Sequence, residues 1–172
     1  MTGDVSSEWW YSNRNSFALT PLFRWRDRVV GGPKSQWNKG EGMSKKVITP
    51  KTLHRPFGYA HAIQIDNTIY ISGQIPLDQE LNVVGKDDIA VQTERVYENL
   101  KKVVEDAGGS MSNIVMLNIY CTDIEAYDKK TKHLRKKYFG DYYPAITAVE
   151  VKRLYRPDFM IEVEAIAVLD SQ

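Results

Sequence analysis

The sequence predicts an α+β fold in which a mixed sheet carries two helices on one face. Two segments have the apolar spacing of amphipathic helices, and five shorter segments alternate or run apolar as strands do. The predicted order is strand, strand, helix, strand, helix, strand, strand. All of these elements lie within residues 43–172.

The first half of this region predicts a hairpin followed by a long helix. The two strand segments, "HAIQID" and "TIYISGQI", meet at Asp66-Asn67, residue types that tolerate a tight turn. Apolar residues then recur at intervals of three and four through "DDIAVQTERVYENLKKVVEDAGG". Asp87 or Asp88 can cap the start of this helix, and Gly108-Gly109 can end it.

The second half predicts strand, helix, strand, strand. The segment "IVMLNIYC" alternates, which places one set of side chains on a single face: Val115, Leu117, Ile119 and Cys121. Thr122 and Glu125 form a capping-box pattern for a second helix that ends by Gly140. The segment "YYPAITAVEV" opens with turn residues and continues as a strand, and "FMIEVEAIAVL" is the last strand.

The last strand also predicts an oligomer. Both of its sides carry apolar residues, so we expect it to be buried on both faces of the sheet. Two helices cover only one face. A second copy of the chain is the natural cover for the other.

Composition limits the function classes. With 23 basic and 22 acidic residues, the total charge offers no electrostatic case for nucleic acid or membrane binding. One cysteine excludes an intrachain disulfide, which fits a reducing compartment. No apolar run approaches the roughly 18 residues of a membrane-spanning helix. We therefore expect a soluble, cytoplasmic protein with no membrane partner.

Residues 1–42 differ from the rest and read as an atypical extension. All four tryptophans lie before Met43, and the segment has no sustained helical or strand period. It is interpretable as a partner-binding arm, as a targeting segment, or as sequence that is not natively translated. We favour the third hypothesis, because "NKGEGM" back-translates to a purine-rich stretch ahead of an ATG, with Met43 as the true start. An intact native peptide spanning Lys39 to Lys45 would exclude it.

The residues alone offer few sites for chemistry. Glu162 and Glu164 stand on an apolar strand, where burial raises a carboxyl pKa and favours an acid–base role; pairing with Lys or Arg is the ordinary alternative. In "SGQIP", Gly73 permits close backbone approach and Ser72 with nearby amides can bind an oxyanion, although a bulge explains the glycine equally well. Tyr59 is a phenol near a strand start, or a packing residue.

Other signals favour structural explanations. His54, His61 and His133 share no metal-ligand spacing with one another or with Cys121, so no metal site is predicted. We read Cys121 as part of the core. The segment "KKTKHLRKK" at 129–137 is the one concentrated basic patch; it suits RNA, but a solvated helix face is the usual explanation.

Taken together, the motifs resemble the RidA family, also called the YjgF or L-PSP family, from about Pro56 to Leu169. The matching parts are Tyr59 ahead of the first strand, "SGQIP" at 72–76, and the helix "QTERVYENLKKVVEDAGGS". They continue with "YCTDIEAY", "YPAITAVEVKRL" and "IEVEAIAV". Each motif alone is weak, but their order and spacing agree over nearly the whole domain.

The resemblance implies a chorismate-mutase-like fold assembled as a homotrimer with a trimeric barrel and small-molecule clefts between subunits. Typical members hydrolyse reactive enamines and imines without a metal or organic cofactor. The resemblance makes Glu162 the residue that activates water, and places Tyr59, Ser72 and Gly73 in the pocket lining. Some relatives are described as ribonucleases or inhibitors of translation.

One segment departs from the family pattern. Typical deaminating members read Pro-Ala-Arg-Ser/Thr at the substrate-binding segment, where the arginine grips the substrate carboxylate. This chain has Ile146 and Thr147 there. We therefore expect a hydrolase for a substrate other than a carboxylate-bearing imino acid. The alternatives are an RNA-cleaving or translation-inhibiting protein, and a non-catalytic metabolite-binding or chaperone-like trimer.

Overall fold

The computed structural model describes residues 45–170. The predicted extension at 1–42 and the start at Met43 lie outside the described residues. Within them, the elements in chain order are β1 (Lys45–Ile48), β2 (Ala62–Ile65), β3 (Thr68–Gln74), α1 (Ile89–Asp106), β4 (Ile114–Cys121), α2 (Ile124–Phe139), β5 (Ala145–Glu150) and β6 (Ile161–Val168). A short 3-10 turn, Met111–Asn113, precedes β4.

The strands form one mixed sheet with the order β1-β2-β3-β6-β4-β5. Every neighbouring pair is antiparallel except β4 and β5, which run parallel across the α2 connection. Both helices share one apolar core with the sheet; Leu100 of α1, Leu134 of α2 and Val163 of β6 all belong to it. The predicted fold class, a mixed sheet with two helices on one face, is confirmed.

Helix α1 begins and ends as its sequence indicates. The Asp88 carboxylate accepts hydrogen bonds from the amides of Ala90 and Val91, which satisfies two donors of the first turn. After the last turn, Gly108 adopts a φ of 91° and the Gly109 amide donates to the Val104 carbonyl. In the part of the chain that the structure describes, no helix is long and apolar enough to cross a membrane.

The start of helix α2 corrects one prediction. Its N-cap is Asp123, whose carboxylate accepts the Ala126 amide at 2.8 Å, and not Thr122. The Thr122 amide donates to the Met160 carbonyl at 3.0 Å, so this residue is tied to the segment just before β6 and lies outside the helix. Glu125 closes no capping box. The end at Gly140 is confirmed.

Two strands also differ from expectation. The pairing of β4 with β6 shifts between Ile114 and Met116, so Ile114 is buried and Val115, predicted on the buried face, is 38% exposed. Strand β1, which the sequence did not predict, pairs with β2. Only its last residue, Ile48, is buried, so its pattern is too short to stand out. The hairpin turn at Asp66-Asn67 is confirmed, with Asp66 at a φ of 52°.

Candidate functional site

The sheet has one face covered by the helices and one open face that carries the polar groups. Along β6 the side chains alternate between buried and half-buried. Glu162, Glu164 and Ile166 are half-buried on the open face. A groove of about 330 Å³ lies on this face, lined by Ser72 of β3, Asn118 of β4 and Glu164 among others. The open face is therefore where a ligand can meet polar side chains.

A bulge in β3 brings the "SGQIP" segment against β6. Ile71 pairs with Ala165 and Gln74 with Val163, so three residue steps on β3 oppose two on β6. The extra residue places Gly73 under the Glu162 side chain. A Cβ at position 73 would lie 2.9 Å from the Glu162 carboxyl carbon, closer than such atoms approach. A side chain at position 73 would therefore force the Glu162 carboxyl to move from this position.

Ser72 is already engaged with the loop that precedes β2. Its hydroxyl donates to the Ala60 carbonyl at 2.7 Å, and its amide donates to the His61 carbonyl at 3.0 Å. Both hydrogen-bond donors of Ser72 are thus paired with backbone carbonyls, so neither is free for an oxyanion. Ser72 lines the groove and holds the loop that carries Tyr59, instead of presenting free donors.

Glu162 is the perturbed carboxyl group of the site. Partial burial raises its pKa, and the negative charge of Glu164 raises it further. Among residues 45–170, no Lys or Arg forms an ion pair with it and no group donates a hydrogen bond to it. A carboxyl group in this state exchanges protons closer to neutral pH than an ordinary glutamate does.

Glu164 is held differently, two residues along the same strand. Its Oε1 accepts from the Asn118 amide nitrogen and from the Tyr120 hydroxyl, each at 2.9 Å. The bond to Glu164 is the largest cause that raises the Tyr120 pKa. Asn118 and Tyr120 were missed in the sequence, although their alternation with buried residues on β4 carries the signal. The two carboxylates thus have separate environments.

Tyr59 lies close enough to Glu162 for their charges to interact. Burial raises the Tyr59 pKa first, and Glu162 raises it further, so the phenol keeps its proton. Its oxygen lies 2.7 Å from Nε2 of the buried His54. His54 also packs edge-on against His61, with ring centroids 4.9 Å apart. Sequence spacing does not join these histidines to the site, because they meet Tyr59 only through the fold of the loop before β2.

Ile146 and Thr147 stand apart from Glu162. They lie on the edge strand β5, opposite Leu117 and Asn118 of β4, and so point to opposite faces of the sheet. Strand β4 separates β5 from β6, which puts the β5 and β6 backbones about 10 Å apart. Ile146 falls on the helix side and Thr147 on the open side. Within one chain, therefore, Ile146 does not join Glu162.

Two further predictions concern metal ligands and Cys121. Cys121 is fully buried in the core, where burial raises its thiol pKa, as expected of a packing residue. Over residues 45–170, no group of three or more His, Cys, Asp or Glu side chains is arranged to hold a metal ion.

Comparison with known proteins finds matches over the same region. The family model described as endoribonuclease L-PSP matches residues 51–169. The chain is 42% identical over 126 residues to a RutC family protein of Pyrococcus abyssi, covering 73% of this chain and 98% of that protein. It is 34% identical over 126 residues to the 3-aminoacrylate deaminase RutC of Acinetobacter baylyi, with the same coverage of both.

A solved structure matches in fold as well as in sequence. RidA from the Antarctic bacterium Psychrobacter sp. superposes with a TM-score of 0.65 at 31% identity, covering 72% of this chain and 98% of that chain.

Proposed function

This chain belongs to the endoribonuclease L-PSP family, and we propose that it hydrolyses a small imine or enamine with Glu162 as the acid–base group. The observation that carries the proposal is the state of Glu162. Its carboxyl lies over Gly73 with no cationic partner in the described chain, and its pKa is raised by burial and by Glu164. The 34% identity to a protein named as a deaminase supports the same reaction class.

The reaction needs one proton acceptor that later becomes a donor. The Glu162 carboxylate takes a proton from water as the water oxygen bonds to the imine carbon. The protonated carboxyl gives that proton to the nitrogen, which leaves a neutral carbinolamine. The carboxylate then takes the hydroxyl proton of the carbinolamine and passes it to the nitrogen as the carbon–nitrogen bond breaks, and a carbonyl product and ammonia leave. A carboxyl group with a raised pKa serves both steps near neutral pH.

We propose a substrate that lacks a carboxylate beside the reacting carbon. Ile146 stands where the family pattern implies an arginine for that group, and an aliphatic side chain donates no hydrogen bond. Loss of a hydrogen bond to a charged group costs about 1.5–3 kcal/mol. Thr147, in line with Asn118 on the open face, offers a hydroxyl suited to a neutral polar substituent.

We also propose that the site is completed in a homotrimer by a neighbouring copy of the chain. Two features support this. The open face keeps apolar side chains such as Met116 and Ile166 half-buried, and the edge strand β5 leaves Ile146 and Val149 exposed. Since β5 cannot reach Glu162 of its own chain, β5 of a neighbour is the strand that can supply residues 146 and 147.

RNA cleavage is the weaker alternative. It depends on the basic segment 129–137, but four of its six Lys and Arg side chains already form ion pairs. The pairs are Lys132 and Arg135 with Asp128, Lys136 with Asp141, and Lys137 with Glu94. Because three carboxylates offset part of its charge, the segment is typical of a solvated helix face, which offers less attraction for phosphates. A non-catalytic metabolite-binding trimer is the other alternative, and Glu162→Gln separates it from an enzyme.

The test is an imine-hydrolysis assay on two substrates that differ by a carboxylate. One is 2-iminobutanoate, and the other is the imine of the same carbon chain without the carboxylate, each generated in place by an oxidase. Ammonia release above the uncatalysed rate is measured for the unmodified protein and for Ile146→Arg. We expect the unmodified protein to prefer the carboxylate-free imine and Ile146→Arg to gain at least about tenfold on 2-iminobutanoate, the value of one such hydrogen bond.

Glu162→Gln is the matched control, because it keeps the shape of the side chain and removes the titrating group. We expect its turnover to fall about 100-fold or more on either substrate. Robust turnover of 2-iminobutanoate by the unmodified protein would contradict the proposed specificity. Turnover that is unchanged in Glu162→Gln would contradict the proposed chemistry.

A further inference from the structure

A pair of histidines lies directly behind Tyr59. His54 is 4% exposed and His61 is fully buried. Their rings meet edge-on, and the Tyr59 ring meets the His61 ring in the same way, with centroids 5.7 Å apart. None of the reaction steps above uses either histidine. Two buried imidazoles against a site residue call for a specific role, since a buried polar group is costly unless it is bonded.

The protonation of His61 follows from its partner. Its Nε2 lies 2.8 Å from the His54 carbonyl oxygen, which can only accept a hydrogen bond. Nε2 of His61 therefore carries a proton, so Nδ1 is the ring nitrogen that can carry a lone pair. That Nδ1 is buried without a partner among the described residues. His61 therefore has one buried ring nitrogen, Nδ1, without a hydrogen-bond partner in the described chain.

The same reasoning orients the proton of His54. Its Nδ1 is also buried with no partner in the described chain, and its Nε2 faces the Tyr59 oxygen at 2.7 Å. A buried N–H without an acceptor is rarer in proteins than an unpaired acceptor. The favoured tautomer therefore keeps the lone pair on Nδ1 and the proton on Nε2, which donates to Tyr59.

We propose that His54 is a positioning residue that makes Tyr59 a hydrogen-bond donor to the ligand. Because the phenol oxygen accepts from His54, its own hydrogen is free to point away from the histidine. No described group accepts that hydrogen, and Glu162 is near enough for its charge to raise the Tyr59 pKa. The phenol hydrogen is thus available to the substrate nitrogen, or to the water oxygen once it is bonded to the substrate carbon. This inference rests on the proposed function for the identity of the ligand. The direction of the hydrogen bond between His54 and Tyr59 does not depend on that function.

The position of the hydrogen on the His54 ring is tested without any substrate. Two-bond proton–nitrogen NMR spectra of protein with labelled histidine distinguish a ring nitrogen that carries hydrogen from one that carries a lone pair. We expect His54 to show a lone pair on Nδ1 and a hydrogen on Nε2, and Tyr59→Phe to shift the Nε2 signal of His54 without changing that of His133. A hydrogen on Nδ1 of His54 would overturn the proposal, whether or not the protein hydrolyses imines.

The role of the hydrogen bond between His54 and Tyr59 is tested by a double-mutant cycle, in which kcat and KM are measured for the preferred imine. We expect Tyr59→Phe and His54→Leu each to lower kcat about tenfold with little change in KM. Because both substitutions remove the same directed hydrogen bond, the kcat of the double variant should be no lower than that of either single variant. His54→Gln places an amide N–H near Nε2 and should restore most of the loss. His133→Leu, on the exposed side of α2, is the matched control and should act like the parent.

Two outcomes would contradict the positioning role. If His54→Leu lowers activity while Tyr59→Phe does not, the histidine acts through the loop and not through the phenol. If His54→Leu fails to fold, His54→Gln decides: a properly folded His54→Gln that loses as much activity as Tyr59→Phe overturns the proposal.

Discussion

The two faces of the sheet in residues 45–170 are built by different rules. On the helix-covered face, β4 and β6 place Leu117, Ile119 and Val163, none more than 1% exposed. On the open face the same two strands place Asn118, Glu162 and Glu164, all half-buried. Side chains along both strands alternate between the two faces, and the two faces carry different kinds of residue. The covered side supplies the hydrophobic free energy of folding, and the open side keeps polar groups that folding alone does not need.

The largest expected difference between the faces is in stability. Leu117→Ala removes a fully buried side chain from the covered face and should lower the free energy of unfolding by about 2–5 kcal/mol. Met116→Ala, its neighbour on the open face, should cost clearly less in a single chain, because its side chain is only half-buried. Urea unfolding of both variants measures this difference.

Protein concentration sharpens the same comparison. If the open face is an interface between copies, the cost of Met116→Ala appears as a weaker, concentration-dependent assembly. As protein concentration changes, the urea midpoint of Leu117→Ala should change by the same amount as the urea midpoint of the parent protein. Equal costs for both variants at every concentration would mean that the two faces are not distinct.

A second, smaller effect is expected where Gly73 lies against Glu162 on the open face. Gly73→Ala places a methyl group against Glu162, so we expect a loss of about 1–3 kcal/mol from overpacking and a loss of activity. Thermal unfolding measures the stability part. The double variant Gly73→Ala with Glu162→Ala removes the colliding carboxyl and should be more stable than Gly73→Ala alone. If the double variant is less stable, the collision is not the cause.

The smallest effect is a pH dependence of stability. Burial and the charge of Glu164 raise the folded pKa of Glu162 above its ordinary value of 4.5, so the folded state binds this proton more tightly than the unfolded state. The parent should therefore lose stability as pH rises from about 4.5 through the raised pKa, and Glu162→Gln should not lose this part. The stability of Glu162→Gln relative to the parent should grow with pH over that window. A constant difference from pH 4 to pH 8 would contradict the raised pKa.

Local signals predicted most of the fold. Helix α1 was placed by its apolar spacing and by Asp88 and Gly108, which act within one turn of the residues they cap. The start of α2 was misplaced by one residue because the Thr122 amide is bound by the distant Met160 carbonyl. Val115 was assigned to the wrong face because a register shift between strands leaves no mark in a single strand's alternation.

The site was predictable only in part. Glu162, Gly73 and Tyr59 were singled out from their motifs, and the structure brings them together. The contacts of Asn118 and His54 were not foreseen, because their partners Glu164 and Tyr59 become neighbours through strand pairing and a loop turn. The separation of Ile146 from Glu162 was not foreseen either, since it depends on the order of strands in the sheet.

By itself, the sequence determined the element types, the helix ends at Gly108 and Gly140, and which strand carries the glutamates. These are local properties, governed by spacing and by residues a few positions apart. Only the tertiary structure decided that Glu162 lies over Gly73 while Glu164 is bonded to Asn118 and Tyr120. It also decided that Ile146 lies on the edge strand β5, which β4 separates from β6. The physical reason is that burial, charge coupling and register belong to pairs of residues far apart in the chain, and a pKa responds to those pairs.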